Sequence, residues 1–175
     1  MKNEMKKELA DSIKLFHLPR YAELSDVGLY LEQTTKYINQ CLAPLGCVEF
    51  SGSMISNYVK KGLVPNPVKK QYSADHIALL FFIAIVKNLV AMENIGLLFD
   101  IQRASYPLPV AYDYFCSELE NVLFFIFGLK DTMEKLGSTQ SDEKDMLSNL
   151  IYSAAIVIHM NARFNAVRTE HETTA

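Results

Sequence analysis

Apolar residues along this chain recur at intervals of three and four positions, the spacing that places them on one face of a helix. In the first such segment, Leu9, Ile13 and Phe16 fall on one face. No segment makes a convincing β-sheet, so a mostly α fold is expected. Bounded by prolines, glycines and N-capping residues, the predicted helices cover residues 1–16, 29–43, 52–61, 74–91, 92–101, 110–129 and 142–168.

Three of these helices are apolar around most of their circumference, so several sides of each must be covered. The helix over 74–91 is predicted to be a buried core helix. The last two helices must pack either on the rest of the chain or on a second chain, and we favour a homodimer built on them. Prolines 107 and 109 mark the clearest internal boundary. The predicted organisation is an N-terminal helix and loop over 1–24, a head over 25–103 and a C-terminal helical region, a candidate for dimerisation, over 104–175.

Composition limits the possible classes of protein. Half of the residues are apolar, and the formal net charge is −3. This charge argues against a protein that coats nucleic acid or an anionic membrane with its whole surface, although a local basic face is compatible with it. The longest apolar run, Ile77–Val86, is too short to span a bilayer. The N-terminus also lacks the apolar segment of a signal peptide, and we therefore expect a cytoplasmic protein that has no membrane partner.

Catalytic and metal-binding motifs are not apparent. The cysteines, Cys41, Cys47 and Cys116, form an odd and scattered set, which predicts free thiols. They are not at metal-ligand spacing with the histidines, and no glycine-rich phosphate loop is present. We therefore expect no enzyme activity, no metal and no cofactor.

The segment SMISNYVKKGLVPNPVKKQYS, residues 53–73, holds four lysines and no acid in a chain that is acidic overall. On a helix over 52–61, Ile55, Tyr58 and Val59 share an apolar face, and small polar side chains with a lysine share the opposite face. Such a face suits a recognition helix, because it brings hydrogen-bonding groups to base edges in the major groove.

Lysines beside the groove neutralise phosphates and set the register of the protein on DNA. Residues 68–72 could form one side of a small hairpin or wing that brings two of these lysines to the flank. A solvated lysine face is the plain alternative, but ordinary exposed faces mix both signs of charge. The candidate DNA-binding residues are Ser51, Ser53, Ser56, Asn57, Tyr58, Lys60, Lys61, Lys69, Lys70 and Tyr72.

Three motifs in order, YVKKGLVP (58–65), KQYSAD (70–75) and MENIGLL (92–98), resemble the winged helix-turn-helix head of the MerR regulators. The resemblance covers about residues 29–101. It implies a MerR-like winged helix-turn-helix head over 25–103, followed by a C-terminal helical pair, and a transcriptional regulator that binds duplex DNA.

A second resemblance is carried by LPRYAELSDVGLYLEQTTKYIN (18–39) together with residues 53–73. These segments are similar to a bacterial family catalogued only as a domain of unknown function, number eighteen thirty-six, over about residues 17–165. Its members are regarded as DNA-binding regulators because of the MerR-like head. A different class of function stays open, namely a protein-interaction or scaffolding module that keeps the head fold without DNA affinity. Neither the operator nor a small-molecule effector is predicted.

Overall fold

The computed structural model describes residues 2–46, 49–137 and 140–174. Within these ranges the chain is mostly helical and has no β-strand, which confirms the expected mostly α class. The backbone instead forms two isolated bridges, Leu29 with Tyr72 and Val68 with Gln71. The helices are α1 Lys2–Ile13, α2 Leu31–Leu42, α3 Gly52–Lys60, α4 Ala74–Val86, α5 Met92–Ser105, α6 Leu108–Ile126 and α7 Asp142–Thr174, and short 3-10 turns cover Tyr21–Glu23 and Ala43–Leu45. None of these helices is long and apolar enough to cross a membrane.

Three observed helix ends differ from the predicted ones by four residues or more. Helix α4 stops at Val86 instead of residue 91, because the chain turns there and Leu89 N–H donates to the Val86 carbonyl. Helix α5 continues to Ser105, four residues beyond its predicted end. Helix α7 continues to Thr174, six residues beyond its predicted end at residue 168. These six residues contain neither proline nor glycine, so nothing in them stops a helix that is already propagating.

The chain forms two compact units that are interleaved along the sequence. The first unit, called unit 1, consists of residues 1–17, 43–47 and 117–175, and the second, called unit 2, consists of residues 18–42 and 48–116. The predicted head, 25–103, lies inside unit 2 apart from residues 43–47. Cys47, one of the three predicted free thiols, lies outside the described residues.

Unit 2 is built around α4, whose residues from His76 to Val86 are all buried. Phe82 packs against Phe99 and Phe115, with ring centroids 5.6 and 5.1 Å away. The Tyr112 hydroxyl donates to the Pro19 carbonyl over 2.8 Å, so the start and the end of this unit are tied together. Burial raises the pKa of Tyr112 above its usual value, and the hydroxyl therefore stays a donor.

Unit 1 contains α1, the second part of α6 and the whole of α7, and α1 packs on α7. The His159 ring on α7 meets Phe127 edge to face, with the ring centroids 4.8 Å apart. The Asn121 side-chain amide donates to the Glu134 carbonyl and accepts from the Glu134 N–H, at 2.8 and 3.1 Å. This pair of bonds holds the loop after α6 against the helix.

Candidate nucleic-acid interface

Helix α3 begins where its sequence predicts, at a serine cap. The Ser51 side chain accepts a hydrogen bond from the Met54 N–H over 3.2 Å, which satisfies one of the free donors of the first turn. Its hydroxyl also lies 2.9 Å from that of Ser53. Ser51 is half-buried and Ser53 is exposed. The cap therefore helps to position Ser53, one of the predicted DNA contacts, and is itself only partly accessible to solvent.

One face of α3 is fixed in the core, and this determines what the other face presents. Ile55 and Tyr58 are buried, and the Tyr58 ring stacks on Phe50 with centroids 5.7 Å apart. Residues three or four positions apart lie on the same face of a helix, so the other positions of α3 point away from the core. The exposed residues on that outward side are Ser53, Met54, Ser56, Asn57 and Lys60.

The chain leaves α3 through a left-handed glycine. Gly62 has φ +77°, and Lys61 before it is exposed. The N–H groups of Leu63 and Val64 both donate to the Tyr58 carbonyl, at 3.0 and 3.3 Å, so the end of the helix is closed by its own backbone. Two consecutive lysines therefore stand at a well-defined helix terminus, whose partial negative charge favours cations.

A second pair of lysines forms the tip of a tight turn. Val68 and Gln71 exchange two backbone hydrogen bonds, at 3.2 and 2.9 Å, and Lys69 and Lys70 lie between them with φ +51° and +64°. Positive φ at both central residues is the pattern of a type I′ turn, which normally carries Asn-Gly. Lysine in this conformation is strained by about 1 kcal/mol or more per residue, and such strain concentrates at functional positions.

The turn is anchored to the start of the head by the bridge between Leu29 and Tyr72, whose two hydrogen bonds are 2.9 and 2.8 Å long. This approach requires a glycine at position 28, because a Cβ there would lie 2.7 Å from the Gln71 Cβ. His76 fixes the other side. Its Nδ1 accepts from the Ser73 N–H at 3.0 Å, and its Nε2 lies 3.3 Å from the Asn66 carbonyl.

Apart from Ser51, the half-buried cap of α3, the predicted DNA-binding residues divide into two groups. Tyr58 and Tyr72 are only 8% and 4% exposed, and burial raises the pKa of each. The structure places these rings beneath the surface, where they support it. The group that faces solvent is called the basic surface hereafter and consists of Ser53, Ser56, Asn57, Lys60, Lys61, Lys69 and Lys70, all exposed.

Acidic side chains are absent from residues 51–74. Asp75, the next residue, accepts a hydrogen bond from the Tyr21 hydroxyl at 2.6 Å, and this bond raises the pKa of Tyr21 to about 12. The carboxylate is therefore engaged with another part of unit 2.

Asn39 is a positioning residue that the sequence pattern did not reveal. Its side-chain amide donates to the Phe50 carbonyl at 2.7 Å and accepts from the Phe50 N–H at 3.0 Å. These bonds join α2 to the residue just before the cap of α3, and so fix where α3 begins. The sequence gives little indication of this role, because Asn39 lies eleven residues from Phe50, the residue it binds.

A cavity of about 310 Å³ lies between the end of α3 and α5. It is lined by charges of both signs, among them Lys61, Glu93, Asp100 and Arg103. Arg103 and Asp100 form an ion pair with each other. Across the described ranges, no three His, Cys, Asp or Glu side chains are grouped so that they would hold a metal ion.

Comparison with known proteins gives one match. The family model described as Domain of unknown function (DUF1836) matches residues 19–115, more than half of the chain. These limits nearly coincide with the outer limits of unit 2, residues 18 and 116. No curated protein and no solved structure matches the chain.

Proposed function

We propose that this chain, which belongs to the family Domain of unknown function (DUF1836), is a transcriptional regulator that binds duplex DNA through a MerR-like winged helix-turn-helix head. The description of the family assigns no activity, so the proposal rests on the surface of the chain itself. The observation that carries the proposal is the basic surface: four exposed lysines and three small polar side chains, with no acid between them in sequence.

Each part of the basic surface has a role in this proposal. Ser53, Ser56 and Asn57 face base edges in the major groove, where asparagine pairs well with adenine. Lys60 and Lys61, at the end of α3, contact phosphates on one side. Lys69 and Lys70 contact phosphates from the turn, which takes the place of a wing.

The proposal includes a homodimer, since DNA-binding heads usually read paired half-sites. It also places the protein in the cytoplasm, the compartment of the bacterial chromosome, as the bacterial family resemblance implies.

The test is a salt titration of binding to a pool of fragments from the protein's own genome. Four phosphate contacts predict that the logarithm of affinity falls with the logarithm of salt with a slope of about −3.6, which is a loss of about 100-fold between 50 and 200 mM salt. Reversal of Lys60, Lys61, Lys69 and Lys70 to Glu should abolish enrichment. The matched control reverses Lys6, Lys7, Lys14 and Lys135, which are exposed residues of unit 1. Equal loss in both variants would show that only net charge matters and would refute a specific surface.

A second candidate function is a protein-interaction module with the same head. Val27, Tyr30 and Val68 are 71%, 53% and 70% exposed, and they neighbour the two backbone bridges. Exposed apolar groups of this kind are typical of protein contacts. This function predicts a hetero-complex that survives moderate salt and is lost on Tyr30→Ser and Val68→Ser, without a shift of any DNA fragment.

A further inference from the structure

Helix α7 has a second apolar face that unit 1 does not cover. Its buried face consists of Ile151, Ala154, Ala155 and Ile158. Met160 follows Ile151 by nine residues, which is two and a half turns at about 3.6 residues per turn, so it points to the opposite side. The exposed apolar residues on that side are called the α7 row and are Met146, Tyr152, Ile156, Val157, Met160, Phe164 and Val167, each 36–53% exposed.

The two ends of the α7 row lie at nearly equal distances from Ile156. Met146 precedes Ile156 by ten residues and Val167 follows it by eleven. At about 1.5 Å per residue the row is roughly 30 Å long. A second α7 that runs in the opposite direction and crosses at Ile156 would therefore cover the row from end to end. An isologous two-fold contact requires this kind of self-complementary surface.

Two pairs of opposite charge on α7 have the same symmetry. Acidic residues lie in its first turn, and Arg163 and Arg168 lie in its second half, where Glu170 and Glu172 follow them in the final turns. Asp145 and Arg163 are 18 residues apart, five turns at about 3.6 residues each, so they share one edge of the helix. Glu143 and Arg168 are close to seven turns apart and share the other edge. The members of each pair are about 27 Å or more apart within one chain and cannot contact each other.

In an antiparallel pair of helices related by a two-fold axis, the same edge of each copy faces the other copy. Asp145 of one copy then lies beside Arg163 of the second, and Glu143 beside Arg168, each twice per dimer. The midpoints of both charge pairs fall at residues 154–156, within three residues of the midpoint of the apolar row. A parallel pair would instead place acid against acid and arginine against arginine, and would align the helix dipoles unfavourably.

From this agreement we propose that α7 is the dimerisation surface of the protein, and that a second copy of this chain packs antiparallel on the α7 row with its two-fold axis near Ile156. The inference does not depend on DNA binding. If the DNA proposal fails, the dimer stands, and if the chain is monomeric, the basic surface is still free to bind DNA.

The first measurement is the mass of the full chain by light scattering during gel filtration, at concentrations up to about 200 µM, which reveals dissociation constants of that order or tighter. The expected mass is twice the chain mass of 19.8 kDa. Ile156→Glu should give a monomer, while Asn165→Glu, an exposed site on the same helix outside the row, should not. A monomeric wild type at the highest concentration overturns the proposal, as does a dimer that Ile156→Glu leaves intact.

Charge swaps test the orientation without disturbing the apolar contact. Asp145→Arg and Arg163→Glu should each weaken the dimer about tenfold, because each creates two like-charged pairs. The double variant should restore wild-type affinity, since the pairs are re-formed with opposite polarity. Additive weakening in the double variant would refute the antiparallel pairing.

Cysteine cross-linking is an independent test of whether the two copies of α7 run antiparallel. Ile156→Cys places two thiols near the axis and should form an intermolecular disulfide, whereas Met146→Cys places them about 30 Å apart and should not. Wild type under the same oxidation reports any cross-link through the native cysteines. Equal cross-linking of both variants would indicate a parallel dimer and overturn the proposal.

Discussion

Replacing Lys69-Lys70 by Asn-Gly should make the protein more stable and a weaker DNA binder. Both lysines have positive φ, a conformation that costs most L-residues about 1 kcal/mol or more and that Asn and Gly accept readily. Both are exposed, so no packing is lost. We expect the free energy of unfolding to rise by about 1–2 kcal/mol, and Tm by roughly 2–8 °C for a chain of this size.

The same change removes two positive charges from the basic surface. Each lost phosphate contact lowers the salt slope of binding by about 0.9, so the slope should become shallower by roughly 2. Urea unfolding followed by circular dichroism measures the first effect, and the salt titration of DNA affinity measures the second. Lys6→Gln with Lys7→Gln removes equal charge from α1 and should change neither quantity much.

The two results refute different parts of the reasoning. An unchanged or lowered stability would mean that the turn is not strained. A stabilised variant with an unchanged salt slope would mean that these lysines do not contact phosphate. Higher stability together with weaker DNA binding would indicate that Lys69 and Lys70 favour ligand binding at the expense of stability.

Three further perturbations test the support of the site and of unit 1. Asn39→Ala should lower the free energy of unfolding by about 2 kcal/mol, because two backbone bonds to Phe50 are lost; urea unfolding against exposed Gln40→Ala checks this. Gly62→Ala should destabilise by about 1 kcal/mol through backbone strain alone, since nothing lies within 4 Å of the added Cβ; unchanged stability would contradict the left-handed turn. Burial raises the pKa of Glu118 above its usual 4.5, and one of its oxygens is buried without a partner. The stability linked to this raised pKa is fully present below pH 4.5 and lost as pH rises through the folded-state value. Glu118→Gln should therefore raise the free energy of unfolding at pH 7, by less than about 1 kcal/mol after solvent screening, but not at pH 4; urea unfolding at the two pH values measures this.

Local sequence signals predicted α3 well. A serine cap and a left-handed glycine are decided within a few residues, and they set the ends of this helix at Ser51 and Gly62 as expected. The outward face followed from the spacing of Ile55 and Tyr58. The sequence could not reveal that Lys69 and Lys70 form a type I′ turn, because that turn is usually signalled by Asn-Gly.

Contacts between distant parts of the chain could not be predicted from the spacing of apolar and polar residues. Asn39 and Asn121 look like ordinary polar helix residues, and only the fold shows that each binds both polar groups of one backbone unit. The buried position of Tyr72 depends on its bridge to Leu29, 43 residues earlier. The extension of α7 to Thr174 was missed because polar composition suggested fraying.

The bond between Tyr112 and Pro19 spans 93 residues, and it has a consequence for synthesis of the protein. Helix α3 has only nine residues, too few for a stable helix on its own in water, and the aromatic cluster around α4 is complete only when Tyr112 and Phe115 have emerged. Closing so long a loop is slow compared with forming a helix. A chain arrested before residue 112 should therefore be sensitive to protease throughout α4.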